Sequence, residues 1–344
     1  MARILTALLA ALVLALAIAA CGGDDGDGGA AVTTTAPEVT IKIGLITDAG
    51  QLNDRGFNQL AYAGLKRAAA ELGVEGRVLE SRSAAEYVPN MTTLVRQDYD
   101  LIIGVGFAQG DAVATAAQRF PDIKFVIIEV DQSTLKGAPD NVVGMLFREE
   151  QVGYLAGYLA GLTAKREPGP DVVGSVGGFK EPPVDRFIAG YQAGAVAAAP
   201  GIRTLNGYSS DWEDQAKCKE LALNQIQAGA EVVFQVAGAC GLGALDGARE
   251  RGVWGIGVDA DQSFLGGHVL TSALKKVDEA VFRVIESVQD GTWQGGRNLT
   301  LGLAEDGVGL GTVSDEVPQE DADALEAVRE RIAAGEVDVP REVG

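Results

Sequence analysis

The chain has 344 residues, 47% apolar and 22% charged, a globular composition long enough for two domains of ordinary size. Its 48 Asp and Glu against 28 Lys and Arg give a formal charge of −20, and so acidic a surface repels phosphate backbones, so no nucleic-acid partner is expected. A lone histidine, His268, excludes multi-histidine metal centres and leaves a single imidazole on which any Ser-His-Asp or Cys-His centre would have to be built.

The N-terminus sets the compartment. Residues 1–20 read MARILTALLAALVLALAIAA, one arginine (Arg3) and then an unbroken apolar run from Ile4 to Ala20. That run is short for a span of about 20 residues and suits the core of a signal peptide. Ile18-Ala19-Ala20-Cys21 resembles the lipobox of bacterial lipoproteins. The resemblance implies cleavage before Cys21, acylation of that cysteine and anchoring at the extracytoplasmic face of the cell membrane. Residues 21–38, CGGDDGDGGAAVTTTAPE, cannot bury enough apolar surface to offset chain entropy and are expected to be a flexible tether. Cys218 and Cys240 would meet an oxidising exterior, where they either pair or persist as two small buried thiols; their spacing allows both.

From Val39 onward, short β-branched runs alternate with longer Ala- and Leu-rich segments. Strands are predicted at 39–46, 77–80, 100–106, 124–130, 171–177, 202–207, 231–236 and 253–259, with helices at 57–72, 148–164 and 212–229 among those between them. Near-continuous apolar strands are what a parallel sheet covered on both faces requires, and strand–helix alternation implies a doubly wound α/β architecture. The eight strands divide evenly about 148–166, which suggests two sheets of four or more strands. A single eight-stranded barrel competes, but strands predicted at 299–303 and 308–312 have no helix between them and disfavour it.

Ligands of open parallel sheets bind beyond the carboxyl ends of the strands. In the first half those ends carry Asp48 and the run Gln51–Gln59, then Gly104–Phe107, then Glu129 and Asp131. In the second half they carry Gly177-Gly178-Phe179, Tyr208, Gly238–Gly241 and Asp259–Gln262. Two such rims facing each other would form a cleft of carboxylates, glycines and rings without a cationic cluster, suited to an uncharged, hydroxyl-rich and partly aromatic ligand.

The segments DAGQLNDRGFNQLAYAGL, YDLIIGVGFAQGDAV, FREEQVGYLAGYLAG, VGSVGGFKEPPVDRFIAGYQAGA, GAEVVFQVAGACGLGAL, GIGVDADQ and VLTSALKKVDEAV run in order from about residue 40 to 290. Together with the ending ERIAAGEVDVP they resemble the basic membrane protein family, the purine-nucleoside-receptor-type (PnrA-like) lipoproteins that are substrate-binding components of ABC importers. The resemblance implies a type I periplasmic-binding-protein fold whose two doubly wound lobes close over a nucleoside. It also implies a monomer that docks on permease subunits, carries no cofactor and catalyses no reaction. Residues 39–147 plus about 268–304 would form the first lobe, and 148–267 plus about 305–344 the second. Hinge crossings would lie near 146–150, 262–270 and 303–306.

Carried over residue by residue, Asp48 and Asn58 match positions that contact the base and fix the helix entrance, and Phe57 matches the ring that stacks on the base. Phe187 is the candidate for the opposing ring with Phe179 as its rival, and Phe107 stands on the same rim. Gly238 matches the loop glycine that lets backbone approach the sugar, Asp259 the carboxylate that accepts both ribose hydroxyls, and Lys275 the ribose-binding lysine. Glu129 and Asn53 stand where the family commonly has Asp, departures that bear on purine against pyrimidine preference.

Taken without the family, each residue has a plainer reading. The rings could be core, Asp48 and Asp259 helix caps, and Lys275 a solvated side chain. Three other functions share these features: an exported nucleoside hydrolase, a sensory ligand-binding protein, and a free-sugar-binding protein of the same fold. The hydrolase is disfavoured by the dispersed acids and the sole histidine.

Overall fold

The computed structural model describes residues 40–344 apart from positions 49 and 51, so the signal sequence, Cys21 and the tether lie outside the described residues. In chain order the elements begin β1 (Lys42–Ile46), α1 (Phe57–Leu72), β2 (Glu75–Leu79), α2 (Tyr87–Val95), β3 (Leu101–Gly104), α3 (Gly110–Arg119), β4 (Lys124–Ile128) and β5 (Val142–Phe147). There follow α4 (Glu149–Ala164), β6 (Val172–Gly177), α5 (Pro182–Ala198), β7 (Arg203–Tyr208), α6 (Gln215–Gln227), β8 (Val232–Val236), α7 (Gly238–Arg251) and β9 (Trp254–Asp259). The chain closes with β10 (Val269–Lys275), α8 (Val277–Gln289), β11 (Arg297–Leu301), β12 (Val308–Leu310) and α9 (Gln319–Ala333).

Two six-stranded sheets result, in the orders β11-β5-β4-β3-β1-β2 and β12-β10-β9-β8-β6-β7. Every pairing is parallel except β10 with β12. The expected two-lobed α/β architecture therefore holds and the single barrel does not.

The apolar runs explain which strands are central. β6 and β8 are buried along their whole length, and β1 and β4 at all but the first residue, whereas the edge strands β2, β7 and β11 carry the polar positions. Helices cover both faces of each sheet. Tyr87, Met91 and Leu94 of α2 and Val113 of α3 pack on Ile102 and Phe125, while Cys218 and Ala222 of α6 join Cys240 and Ala244 of α7 on Val172 and Val233. On the opposite faces α1, α4, α5, α8 and α9 share one continuous core with Ile43, Val126, Val173 and Phe234.

The closest helix packing is between α4 and α5. A Cβ at Gly157 would stand 1.9 Å from the Tyr191 carbonyl oxygen, and one at Gly190 2.1 Å from that of Glu150. The two backbones touch, which only glycine permits.

The chain crosses between sheets three times: at Arg148, between β5 and α4; at Lys276, between β10 and α8, which packs on α1; and within 302–307, between β11 and β12. The second crossing corrects the sequence-based boundary. Residues 262–270 do not cross, because β10 pairs with β9 from Val269 to Leu274 and so stays in the second lobe. The first lobe thus regains the chain at Lys276 and not at 268. Cys218 and Cys240 form a disulfide with Cα atoms 5.6 Å apart, settling the choice between pair and free thiols and tying α6 to α7.

Gly157→Ala should lower stability by about 2 kcal/mol or more, because the new methyl must push two backbones apart. Gly309→Ala, where a Cβ meets nothing within 4 Å, should stay within about 0.5 kcal/mol of the parent in the same urea titration.

Candidate functional site

The carboxyl ends of both sheets face each other across a cleft lined by residues of both lobes. The first lobe supplies Asp48, Asp54, Phe57, Asn58 and Glu129, and the second Glu181, Phe187, Trp212, Gly238, Asp259 and Lys275. Among these lining residues five carboxyl groups face a single ammonium.

That ammonium organises the floor. Lys275, the last residue of β10, is 1% exposed; its Nζ is bound to a carboxylate oxygen of Glu129 and lies 2.9 Å from Oε1 of Glu149. The rings of Phe57, Phe147 and Phe187 surround it at 5.1, 5.2 and 5.7 Å. Desolvation works against the ammonium, but Glu129, Glu149 and Asp259 outweigh it and hold Lys275 above the ordinary lysine range. Glu149, fully buried at the start of α4, is also 3.2 Å from Arg186. Glu129 and Asp259 occupy corresponding places in the two lobes, one just after β4 and the other at the end of β9. Both hold left-handed backbone, with φ of 76° and 63°. Strain of this kind, of order 1–3 kcal/mol per residue, is retained where surrounding contacts over-determine it, as the lysine does here.

Burial pushes the Asp259 carboxyl up to about 7, against the pull of Lys275 and with help from Glu129, Asp54 and Glu149. Burial likewise raises Glu129, and it lifts Glu181 to about 7 with Glu129 and Asp48 adding to the effect. The cleft is thus poor in positive charge and rich in hydrogen-bond acceptors, which disfavours anions and favours a ligand with several donors.

The entrance to α1 is built by Asp54. Its carboxylate accepts the amides of Gly56 (2.9 Å), Asn58 (2.8 Å) and Gln59 (3.2 Å), filling the orphan donors of the first turn. It also accepts Nδ2 of Asn58 at 3.2 Å, so that Asn58 Oδ1 receives the Asp48 amide at 3.1 Å. Asp48 in turn accepts the Tyr87 hydroxyl at 2.5 Å. Asn58 therefore locks the β1–α1 loop, and Phe57 opens the helix at the wall of the cleft.

On the opposite lobe Trp212 lies in the β7–α6 loop with its indole against the backbone that follows β6. A Cβ at Gly178 would stand 2.2 Å from Cζ3 of Trp212. Gly238, at φ 56°, starts α7 beside the same indole. Phe187 is 2% exposed and packs edge-on to Phe234, so it forms floor more than wall.

Asp48, Phe57, Asn58, Glu129, Phe187, Gly238, Asp259 and Lys275 are all brought together here. Three expected residues are not. Phe179 packs on Trp212, ring centroids 5.3 Å apart, and is not among the residues that line the cleft. Phe107 packs with the core between the first sheet and the α2 and α3 helices. Asn53 lines a separate, wider groove with Arg55, Gln59 and residues of α7. Trp212, Asp54 and Glu181 were missed. The sequence pattern predicts a helix starting at Trp212, yet the residue stands four positions beyond the end of β7, on the rim of the cleft.

Among the described residues no helix is long and apolar enough to cross a membrane, and no cluster of metal-ligating side chains is present. Residues 41–342 match the family model for PnrA-like ABC transporter substrate-binding proteins, Bmp. The chain is 32% identical to the ABC transporter nucleoside-binding protein BmpA of Lactococcus lactis over 98% of its own length and 99% of that protein's. It is 33% identical to a CD4+ T-cell-stimulating antigen of Listeria innocua, covering 97% and 98% of the two chains. A solved ABC transporter solute-binding protein from Aeropyrum pernix K1 superposes with a TM-score of 0.78 at 27% identity, over 88% of this chain and 94% of that one. Arabinose-binding and other sugar-binding proteins superpose at lower identity and share the fold. A match over nearly the whole described chain, joined to a two-lobed fold with an acid-lined aromatic cleft, places this protein in the Bmp family of PnrA-like ABC transporter substrate-binding proteins.

Proposed function

We propose that the protein is the lipid-anchored, extracytoplasmic component of an ABC importer, tethered through Cys21, and that its interlobe cleft captures nucleosides, purine nucleosides foremost, for delivery to permease subunits. The observation that carries this reading is the composition of the cleft. Rings contributed by both lobes stand beside five carboxyl groups and one lysine already committed to Glu129 and Glu149. A neutral ligand with a flat heterocycle and several hydroxyl and N–H donors meets each of these groups, whereas a phosphorylated ligand would be repelled. The name of the Lactococcus lactis relative points the same way.

In this reading the base lies against Phe57 and Trp212, each stack contributing about 1–3 kcal/mol with little regard to base identity. Asp48, Asn58 and Glu129 face its polar edge, and Asp259, with the backbone at Gly238 and the ammonium of Lys275, holds the ribose diol. Two hydroxyl donors on one carboxylate give charge-assisted bonds of about 1.5–3 kcal/mol each and discriminate against deoxy sugars. Ligand spanning both lobes favours the closed state by its differential affinity, the lobes turning about the three crossings. No covalent step is involved.

Asp259→Ala should weaken guanosine binding at least tenfold, about 1.4 kcal/mol, in calorimetric titration; an unchanged dissociation constant contradicts the diol assignment. Phe57→Ala should weaken all nucleosides by similar factors, as a platform does, and loss confined to one base would mean that the ring reads identity. The raised Asp259 carboxyl adds a pH test. A ligand that needs the ionised form must expel a proton below about pH 7, so the dissociation constant should rise as pH falls from 8 to 6. In Asp259→Asn the part of that slope due to this group should vanish.

A further inference from the structure

The disulfide lies closer to the cleft than its place between two helices suggests. Cys240 is two residues beyond Gly238, and its backbone amide donates to the carbonyl oxygen of Trp212 at 2.9 Å. Cys218 stands in the first turn of α6, the helix that the Trp212 loop enters. Both cysteines are fully buried with Val172, Val176 and Val233 beneath them. The loop has its own bonds: Asp211 accepts the amides of Glu213 (2.9 Å) and Asp214 (3.0 Å), and Asp214 accepts that of Ala216 (3.0 Å). These bonds shape the turn without fixing it to α7. The attachment to α7 is made by the Cys240 amide, by Gly243 lying against the Gln215 carbonyl at the start of α6, by Lys219 paired with Asp246 and Glu250, and by the covalent link between the two helix starts.

We propose that the Cys218–Cys240 disulfide is a positioning device for the binding site, holding Trp212 at the cleft wall so that nucleoside affinity depends on the bond being closed. This rests on the stacking role given to Trp212 above. Opening the bond leaves the start of α6 held to α7 by noncovalent contacts alone, and the loop carrying the indole gains freedom with it. Ribose contacts made by Asp259 and Lys275, on β9 and β10, do not depend on the bond. Reduction by a dithiol such as dithiothreitol supplies two electrons and two protons: the S–S bond breaks to two thiols and the reductant closes to its cyclic disulfide.

The test is a double-mutant cycle read by calorimetry. Guanosine affinity is measured for the wild type and for Trp212→Ala, each with the disulfide intact, reduced, and replaced by Cys218→Ser/Cys240→Ser, with circular dichroism checking the fold. Loss of the bond should weaken binding about five- to tenfold in the wild type and less than twofold in Trp212→Ala. In a Trp254→Phe/Trp293→Phe background, where Trp212 is the sole tryptophan, reduction should raise acrylamide quenching without ligand. Equal loss in both backgrounds, or affinity and quenching indifferent to a bond shown open by thiol labelling, would overturn the proposal alone. Failure of the oxidised wild type to bind any nucleoside would overturn the nucleoside reading and this proposal with it.

Discussion

A buried ammonium is the constraint on which the cleft depends. Lys275 ends β10 one residue before the chain crosses between lobes, and Glu149 begins α4 one residue after another crossing. Glu129 approaches from the first lobe and Asp259 from the second, so the lysine gathers carboxylates from both lobes beside two of the crossings. An unpaired lysine in this place would carry a large desolvation cost, and removing it would leave buried carboxylates without a counter-charge. The ion cluster therefore fixes where the two strand rims meet, and with it the depth of the cleft.

Around that cluster the remaining acids serve as acceptors. Asp54 is spent on the amides of α1 and on Asn58, whereas Asp48 gives one oxygen, Oδ1, to the Tyr87 hydroxyl. Asp259 and Glu181 keep carboxyl groups raised to about 7, a sign of burial with too little positive charge nearby. Groups in that condition gain from hydroxyl and N–H donors, which is the sense in which electrostatics selects the ligand.

Much of the fold was legible in the sequence because its central strands are continuous apolar runs that no other arrangement buries as well. Two strands escaped. β5 contains Gly144, which reads as a break but admits Asn298 and the Val130 carbonyl at distances a side chain would forbid. β10 carries Thr271 and Ser272, which look like loop; both are buried, and the Ser272 hydroxyl accepts the Gln262 amide at 2.9 Å. Missing β10 moved the expected second crossing upstream. Of the site, the carboxylates at strand ends were readable from topology alone, since Glu129 and Asp259 stand at the carboxyl ends of β4 and β9, where open parallel sheets bind ligands. Which ring forms the wall was not readable. That depends on Gly178 letting an indole lie on the backbone, a contact between segments more than thirty residues apart that leaves no local pattern.

In the proposed function the cleft accepts a heterocycle and its sugar together. Native mass spectrometry of the purified protein with equimolar guanosine and ribose tests this most directly. One guanosine per chain, with no ribose retained, is the predicted result. Ribose held in the cleft while guanosine is ignored would contradict it.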